Sequence, residues 1–291
     1  MHTRAFLGTG LLGTGMAEGA RGRGDTVRVW NRTLGRAAGL REHGASLHET
    51  PSEAVSGASV VHLVLTNDAA VDGVLARLED TLPELAARGV PLLDHSTTSP
   101  LGTAERAARL RSRGVTYLHA PVFMSPNAAR AAQGTVIVAG PRADFDAHEA
   151  LLRPMCETLQ HVGERSDLAA IMKLMGNAMN LSMLHGLADV LTMARGLEMT
   201  PEQALAVFGI IDVRYVIEGR GRAMAAEKYD PLWTADVARK DASLMTACAP
   251  KERFGALASI DQSLAQLQRE GAGELDVAVL GRRTGTPRHD D

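Results

Sequence analysis

Over the first half of the chain, short apolar runs alternate with longer amphipathic stretches. The short runs are rich in valine and leucine and end in turn residues, so they predict β-strands. They are RAFLG, TVRVWN, SVVHLVLT, VPLLDHS, VTYLHAPV and GTVIVAG. The stretches between them, such as AVDGVLARLEDTLPELAARG, have the spacing of amphipathic helices. This alternation predicts βαβ units and a parallel sheet that is buried on both faces.

The pattern changes after about residue 163, where a long helical stretch, SDLAAIMKLMGNAMNLSMLHGLADVLTMARGLEM, begins. Ser166 or Asp167 can cap its start, and Thr200-Pro201 marks its end. Further helical patterns follow, and no strand pattern does. We therefore predict a doubly wound α/β domain over residues 1–163, an all-helical domain with a long central helix over 164–283, and a disordered tail over 284–291.

The composition excludes several classes of protein. A net charge of −3 gives no electrostatic basis for binding nucleic acid or a membrane surface. No apolar run has the length of a membrane-spanning helix, and no signal peptide is recognisable. The two cysteines, Cys156 and Cys248, lack metal-ligand spacing, and the histidines are similarly scattered. We expect a cytoplasmic protein without a metal site.

A glycine-rich turn follows the first predicted strand and opens a helical segment. Gly8, Gly10 and Gly13 have the GxGxxG spacing, with Leu11 and Leu12 in the same turn. In this strand–turn–helix context the first glycine permits a tight turn and the second allows the backbone to approach a pyrophosphate. The third lets the helix pack on the strand, so the helix N-terminus faces the phosphates. The alternative is a chance cluster of glycines. We predict a Rossmann-type, dinucleotide-binding domain.

The end of the second predicted strand selects the cofactor. NAD-preferring sites usually carry an acid there, which hydrogen-bonds the ribose 2′-hydroxyl. This chain has Asn31, Arg32 and Thr33 instead, and these suit a 2′-phosphate. We therefore predict NADP(H) in preference to NAD(H), although Arg32 could also be a solvated surface arginine. Leu65 and Thr66, at another strand end, are expected to line the cofactor groove.

Lys173 is the candidate proton donor. It is the one charged residue between Asp167 and His185, in an apolar helical segment where burial would lower its pKa. Asn177, four residues on, shares its helix face and could orient a substrate oxygen or the lysine itself. The alternative is a lysine whose ammonium group reaches solvent from a mostly buried helix.

Two hydroxyl residues, Ser96 and Thr97, follow the predicted strand VPLLD. Open α/β sheets bind ligands at this carboxyl end of their strands. The two hydroxyls are therefore candidates for binding the substrate and the cofactor respectively, with Ser96 also assisting catalysis. They could instead cap the helix that begins near Pro100.

Five motifs in the same order resemble those of the β-hydroxyacid dehydrogenase family, over roughly residues 3 to 280. They are FLGTGLLGTGMA, Asp94-His95-Ser96-Thr97, Ala120-Pro121-Val122, Lys173 with Asn177, and Lys240-Asp241. The resemblance implies a Rossmann domain joined by a long central helix to a helical domain, in a dimer or tetramer. It also implies that the enzyme interconverts a small aldehyde or keto acid with a hydroxy acid, with Lys173 as general acid or base.

The same resemblance implies that Lys240 contacts the cofactor and that Asp241 supports the substrate site, although both could simply belong to a solvated helix face. A methionine stripe along the central helix is more typical of core or a subunit interface than of a ligand site. It is consistent with a homodimer or homotetramer.

The chain departs from the family where Ser-Gly-Gly usually follows Ala-Pro-Val. Phe123, Met124 and Ser125 occupy these positions, so the backbone cannot approach a carboxylate as closely. We expect these three residues to contact the substrate. The substrate is then either larger or less polar than usual in the family, or its carboxylate is bound at a shifted position. Two other functions stay open. One is an imine reductase on the same fold, which Lys173 argues against, and the other is a non-catalytic NADP-binding protein.

Overall fold

The computed structural model describes residues 1–283, so the predicted disordered tail at 284–291 lies outside the described residues. Contacts between Cα atoms divide the chain into two compact units, Met1–Asn177 and a second unit that begins at Ala178. The division falls inside a long helix, which belongs to both units.

A single sheet of nine strands forms the centre of the first unit. Its strands are β1 Thr3–Leu7, β2 Thr26–Trp30, β3 Ser46–Leu47, β4 Val60–Leu63, β5 Leu92–Asp94, β6 Tyr117–His119, β7 Val122–Phe123, β8 Thr135–Ala139 and β9 Thr158–Gly163. The order is β3-β2-β1-β4-β5-β6-β8-β7, and β9 pairs with β8. The chain order reverses direction beside β1, between β2 and β4, which is where open α/β sheets bind ligands.

The sheet departs from the expected parallel arrangement at one edge. The strands β1 to β6 pair in parallel, but β8 runs antiparallel to both β6 and β7. The stretch VTYLHAPV, predicted as one strand, is divided because Ala120 and Pro121 separate β6 from β7. The strand β9 was not predicted because polar residues interrupt its apolar pattern, and it adds a parallel strand beside β8.

The helices of the first unit connect the strands. They are α1 Leu11–Gly22, α2 Ala38–Glu42, α3 Pro51–Val55, α4 Asp68–Arg77, α5 Leu82–Ala87, α6 Pro100–Arg111, α7 Pro126–Arg130 and α8 Arg142–Leu152, with 3-10 turns at Leu34–Ala37 and Arg153–Met155. Both faces of the sheet are buried. Phe6 packs in a cluster with Met16 and Val29, whereas its neighbours Ala5 and Leu7 pack in a second cluster on the opposite face.

A helix of 29 residues, α9 Leu168–Gly196, follows β9. The second unit continues with α10 Pro201–Leu205, α11 Val213–Tyr215, α12 Arg222–Ala225, α13 Ala235–Ala247 and α14 Ala256–Arg269. A 3-10 turn at Ala206–Gly209, a π-helical turn at Val216–Gly221 and a 3-10 segment at Val277–Arg283 complete it. Between residues 178 and 283 the β-pairing is confined to an isolated bridge, Thr234 to Asp276. The predicted fold class, a doubly wound sheet followed by a helical part with a long helix, is confirmed.

The second unit has its own small core, in which α13 and α14 pack together. Ala235 and Ala238 of α13 contact Leu264 and Leu267 of α14. Asp189 of α9 accepts hydrogen bonds from two backbone N–H groups at the start of α14 and so anchors that helix to α9. Among residues 1–283, no helix is both long enough and apolar enough to cross a membrane.

Candidate active site

The glycine turn between β1 and α1 is closely packed at two of its glycines and open at the third. Gly8 has a φ of +102°, and a methyl group there would lie 2.3 Å from the carbonyl oxygen of Val64. A methyl group on Gly13 would lie 2.1 Å from the carbonyl oxygen of Gly8. Around Gly10, which caps α1, no described atom outside Gly10 and its chain neighbours lies within 4 Å of an added methyl group. The turn therefore leaves open space in front of the α1 N-terminus.

Alanine substitutions at Gly13 and Gly10 are expected to have opposite consequences. Gly13→Ala should lower the free energy of unfolding by about 1–3 kcal/mol, because the methyl group overlaps backbone that cannot move freely. Gly10→Ala should leave stability unchanged, since its φ of −69° suits alanine, but should weaken dinucleotide binding by occupying the open space. Urea denaturation and dinucleotide titration of both variants test this. Equal losses of stability would contradict the packing argument.

A cavity of about 300 Å³ begins at this turn. The predicted cofactor residues that line it are Gly8, Gly10, Asn31, Arg32, Thr33, Leu65 and Thr66. Leu65 and Thr66 lie in the loop after β4, because that strand ends at Leu63 rather than at Thr66 as the sequence pattern predicted.

The other predicted cofactor residues of the first unit lie elsewhere. Leu11 is exposed, Leu12 packs against the core, and Gly13 is buried in the first turn of α1. Thr97 is half-buried in the loop after β5 and is not among the lining residues of the cavity. A cofactor contact by any of these four residues stays a prediction.

Three guanidinium groups surround the cavity. Arg32 was predicted, but Arg36 and Arg77 were not, and Trp30 and Asn31 line the same cavity. The guanidinium carbon of Arg77 lies 5.9 Å from the centre of the Trp30 ring. In the described part of the chain, no carboxylate residue lines this cavity. The cavity is therefore positively charged at the end of β2.

The Asn31 side chain connects the end of β2 to the glycine turn. Its Oδ1 accepts a hydrogen bond from the Thr9 N–H at 3.2 Å, and its Nδ2 donates to the Thr33 carbonyl at 2.8 Å. The asparagine thus fixes both loops that border the cavity. Together with the open space at Gly10 and the N-terminus of α1, this arrangement fits the pyrophosphate and ribose of a dinucleotide.

The Ser96 side chain is bonded within the protein. Ser96 is 2% exposed, and its Oγ accepts a hydrogen bond from the Leu65 N–H at 3.0 Å. It therefore connects the end of β5 to the loop after β4. The capping residue of α6 is Ser99, whose Oγ accepts from the Gly102 N–H, so neither Ser96 nor Thr97 is the cap. A direct substrate contact by Ser96 stays a prediction.

A hydrogen-bonded series of buried side chains, which was not predicted, lies behind this strand end. Arg4 donates to Nε2 of His62 at 3.2 Å, Nδ1 of His62 lies 2.9 Å from Nε2 of His95, and Nδ1 of His95 lies 2.7 Å from the Ala120 carbonyl oxygen. Because a carbonyl only accepts, Nδ1 of His95 must carry a proton. The neutral His95 ring then accepts from His62, which in turn accepts from Arg4. Every member of the chain is satisfied when both imidazoles are neutral.

Lys173 and Phe123 form the second part of the candidate site. Nζ of Lys173 lies 4.2 Å from the centre of the Phe123 ring. Burial lowers the pKa of Lys173, while the ring face favours the charged form and opposes part of this effect. A methyl group at Gly176 would lie 2.5 Å from Cζ of Phe123, so the ring occupies a notch in α9. Asn177 is half-buried one turn after Lys173.

The two residues after Phe123 have structural contacts of their own. Met124 packs against the core cluster that contains Phe6, and Ser125 caps α7 by accepting a hydrogen bond from the Ala128 N–H at 3.2 Å. Of the three residues predicted to contact substrate, Phe123 is thus the one seen beside Lys173.

The last predicted pair lies in the second unit, on α13. Nζ of Lys240 is 2.7 Å from Oδ1 of Asp241, and the Trp233 indole N–H donates to Oδ2 of Asp241 at 3.3 Å. These contacts hold Asp241 in place. The predicted roles of Lys240 at the cofactor and of Asp241 at the substrate site stay predictions.

The sheet order, the glycine turn and the cavity beside it define a class of protein: a Rossmann-fold enzyme with a dinucleotide site. The family described as the NAD binding domain of 6-phosphogluconate dehydrogenase matches residues 3–163, and the chain belongs to this family. It is an NAD(P)-dependent oxidoreductase of the hydroxyacid dehydrogenase type, which confirms the resemblance drawn from its motifs.

Relatives cover almost the whole chain. An uncharacterized oxidoreductase, YfjR of Bacillus subtilis, is 29% identical over 285 residues, covering 95% of this chain and 97% of its own. Glyoxylate/succinic semialdehyde reductase 1 of Arabidopsis thaliana is 24% identical over 278 residues, covering 94% and 96%. An imine reductase structure from Pseudomonas sp. has a TM-score of 0.88 at 21% identity and covers 98% and 99%, a likeness that concerns the fold.

Proposed function

We propose that this enzyme uses NADPH to reduce a carbonyl group, that of an aldehyde or keto acid, to the hydroxy compound, with Lys173 as the general acid. The observation that carries this proposal is a partly desolvated amine on α9, which has a lowered pKa and lies against the Phe123 ring. A proton donor of this kind is what carbonyl reduction requires besides a hydride. The names of the relatives, a semialdehyde reductase among them, support the same reaction class.

The reaction balances with these groups. Nζ of Lys173 would donate a proton to the carbonyl oxygen as the C=O π bond opens, and NADPH, when bound, would supply the hydride that the carbonyl carbon needs. Solvent then returns a proton to the neutral amine. In the reverse direction Lys173 accepts the hydroxyl proton as a general base.

We assign supporting roles to four other residues. Asn177, one helical turn from Lys173, would hydrogen-bond the substrate oxygen and stabilise its developing charge. Ser96 would keep the ends of β4 and β5 together through its bond to Leu65 and orient the substrate. Lys240 would contact the cofactor, and Asp241, held by Lys240 and Trp233, would support the substrate site.

The charges around the cavity support a preference for NADP(H). Arg32 and Arg36 lie four residues apart after β2, and Arg77 approaches from the end of α4. Guanidinium groups match phosphate in charge and geometry, whereas a ribose 2′-hydroxyl is usually bound by a carboxylate, which the described cavity lining does not contain.

Arg32→Ala is expected to raise the Kd for NADPH by about tenfold while changing the Kd for NADH little, because a lost charge-assisted hydrogen bond affects the 2′-phosphate alone. Fluorescence titration with both cofactors measures this. Arg41→Ala is the matched control, since Arg41 is an exposed arginine of α2 outside the cavity lining. Equal weakening of both cofactors by Arg32→Ala would contradict the assignment.

The proposed function is tested by following NADPH oxidation with a panel of aldehydes, keto acids and cyclic imines. Turnover of aldehydes or keto acids supports the proposal. Turnover of imines alone would instead indicate an imine reductase, the activity named for structures of the same fold. Tight NADPH binding with no turnover of any compound would favour a non-catalytic binding protein.

We also propose that the enzyme is a homodimer or homotetramer, assembled through the helical domain predicted over residues 164–283. Met172, Met175, Met179 and Met183 of α9 are each between 40% and 66% exposed, so in the single chain this stripe is not core. Exposed apolar faces of this kind are typical of subunit interfaces. Light scattering on purified protein measures the mass.

A further inference from the structure

We infer that the substrate is a neutral carbonyl compound with an apolar group beside its reacting carbon, and that Phe123 determines this specificity. The inference rests on the proposed function and narrows it from carbonyl compounds in general to uncharged ones. It is carried by the position of the Phe123 ring, which lies between the ammonium group of Lys173 and the notch at Gly176.

The ring face occupies one side of the ammonium group. Its centre is 4.2 Å from Nζ, so no other group of similar size fits between them. The face of an aromatic ring carries partial negative charge, which attracts the cation and repels a carboxylate. An anionic substrate that approached Lys173 from this side would lose its ion pair with the lysine and meet the ring instead. An apolar substituent packs on the same surface without these costs.

The segment around the ring offers no compensating cation. Met124 is turned into the core, and the Ser125 hydroxyl is engaged in capping α7. A substrate carboxylate therefore has no charged partner among the side chains of residues 123–125. By contrast, an ester, alkyl or aryl group needs no such partner.

The ring position is fixed by the backbone on both sides. Phe123 is the last residue of β7 and pairs with Thr135 of β8. Gly134 has a φ of +86°, and a methyl group there would lie 2.8 Å from the Phe123 carbonyl oxygen, so the turn packs closely against this strand. At the other end the absence of a side chain at Gly176 leaves room for the ring edge. The ring is thus held in one position beside Lys173 by the surrounding backbone.

The test uses two substrates that differ in charge but share a skeleton, 4-oxobutanoate and its methyl ester. With the wild-type enzyme and NADPH, kcat/KM for the ester should exceed that for the acid by about tenfold or more. Phe123→Ser should reduce this ratio by at least about tenfold, mainly by improving the acid, because the ring no longer shields the ammonium group. Phe123→Leu, which keeps an apolar group, should retain the preference for the ester.

A second measurement does not depend on turnover. Gly176→Ala should lower the melting temperature in the wild-type background, because the methyl group meets the ring, and should lower it much less in the Phe123→Ser background. Equal losses in both backgrounds would show that the ring does not occupy the notch, and would overturn the inference.

The outcomes separate the two proposals. Faster turnover of the acid than of the ester by wild type, or an unchanged ratio in Phe123→Ser, overturns the neutral substrate while leaving carbonyl reduction intact. The absence of turnover with either compound and with the wider panel overturns the proposed function itself. Reduction of neutral carbonyl compounds with a ratio that falls in Phe123→Ser supports both.

Discussion

Lys173→Ala is expected to lower kcat for carbonyl reduction by about 10²–10⁴-fold, the usual contribution of a positioned general acid. The substrate oxygen would then have to take its proton from water. The Kd for NADPH should not change, because Lys173 is not among the residues that line the cavity beside the glycine turn. Stopped-flow kinetics and a fluorescence titration of the same preparation measure both quantities.

Two further variants make this result specific. Lys251→Ala removes another lysine, an exposed residue of the second unit, and should leave kcat unchanged. Lys173→Arg keeps the positive charge but removes a readily transferable proton, so it should be nearly as slow as Lys173→Ala. If Lys173→Arg were fully active, Lys173 would act as a fixed charge and not as the acid.

The pH dependence supplies an independent check. Reduction needs the protonated amine, so kcat/KM should be constant below the pKa of Lys173 and fall as the pH rises through it. Because burial lowers this pKa from its usual value of 10.5, the decline should begin below that pH in the wild type. The decline should be absent in Lys173→Ala.

Most of the fold could be predicted from the sequence because its signals are local. Apolar runs bounded by turn residues mark the central strands, and the spacing after residue 166 marks α9. The edge of the sheet could not be predicted in the same way. Whether β8 runs parallel or antiparallel depends on pairing between residues distant in sequence, such as Val122 with Val136. Nothing in the apolar pattern of either strand encodes that direction.

The cofactor side of the site could also be predicted in part from the sequence. Arg32 follows the second strand directly, so its position near the cavity follows from the motif. Arg36 and Arg77 come from a 3-10 turn and from the last turn of α4, where an arginine is as often a solvated surface residue. Only the folded chain brings Arg77 to Trp30 and hence to the cavity.

The substrate side shows the limit of reasoning from motifs. The sequence indicated that Phe123 is unusual and that Lys173 is an isolated charge in an apolar helix. It could not indicate that the two touch, because about fifty residues and the four elements α7, β8, α8 and β9 separate them along the chain. The space that Gly176 leaves for the Phe123 ring could not be predicted either, since a glycine in a helix has many explanations.

The buried histidine chain behind β5 was missed for a physical reason as well. A histidine on an apolar strand usually indicates a core residue with a local partner, and nothing in sequence shows that two such residues meet. In the structure His62 and His95 stack with their ring centres 5.2 Å apart. Their hydrogen bonds link Arg4 of β1 to Ala120, the residue that precedes Pro121 and β7. This series of hydrogen bonds therefore connects the interior of the sheet to the segment that carries Phe123.

The hydrogen bonds from Arg4 through His62 and His95 to Ala120 can all form only when both imidazoles are neutral. Burial lowers the pKa of His95 to about 4, and the hydrogen bond to the Ala120 carbonyl opposes only part of that effect. The charged or titratable groups that influence it are Asp94, His119 and Arg4, besides His62, whose own pKa lies well below 6.5. In the unfolded state both imidazoles regain ordinary pKa values near 6.5.

Between pH 6.5 and 4, therefore, the unfolded state binds protons at these positions that the folded state does not bind. The free energy of unfolding must fall as the pH is lowered through this window, by about 3 kcal/mol for His95 alone. Carboxylates interfere little here. Hydrogen bonds lower the pKa of Asp25 and Asp68 below 3.8 despite the opposing effect of burial. Because an unfolded aspartate has a pKa of about 3.9, most of their stabilisation is lost only below about pH 4.

We expect urea denaturation between pH 7.5 and 4.5 to show this loss in the first unit. The two tryptophans, Trp30 and Trp233, lie in different units, so a Trp233→Phe background leaves Trp30 as the reporter. In that background His95→Asn can keep the bond to the Ala120 carbonyl, and it should be less stable at pH 7.5 but lose less stability on acidification. His43→Asn, at an exposed histidine that has only a surface contact with Glu18 at 3.7 Å, should differ from the parent far less than His95→Asn does. A parent whose stability is unchanged between pH 6.5 and 4.5 would show that the buried imidazoles accept protons without cost, and the hydrogen-bond directions deduced here would be wrong.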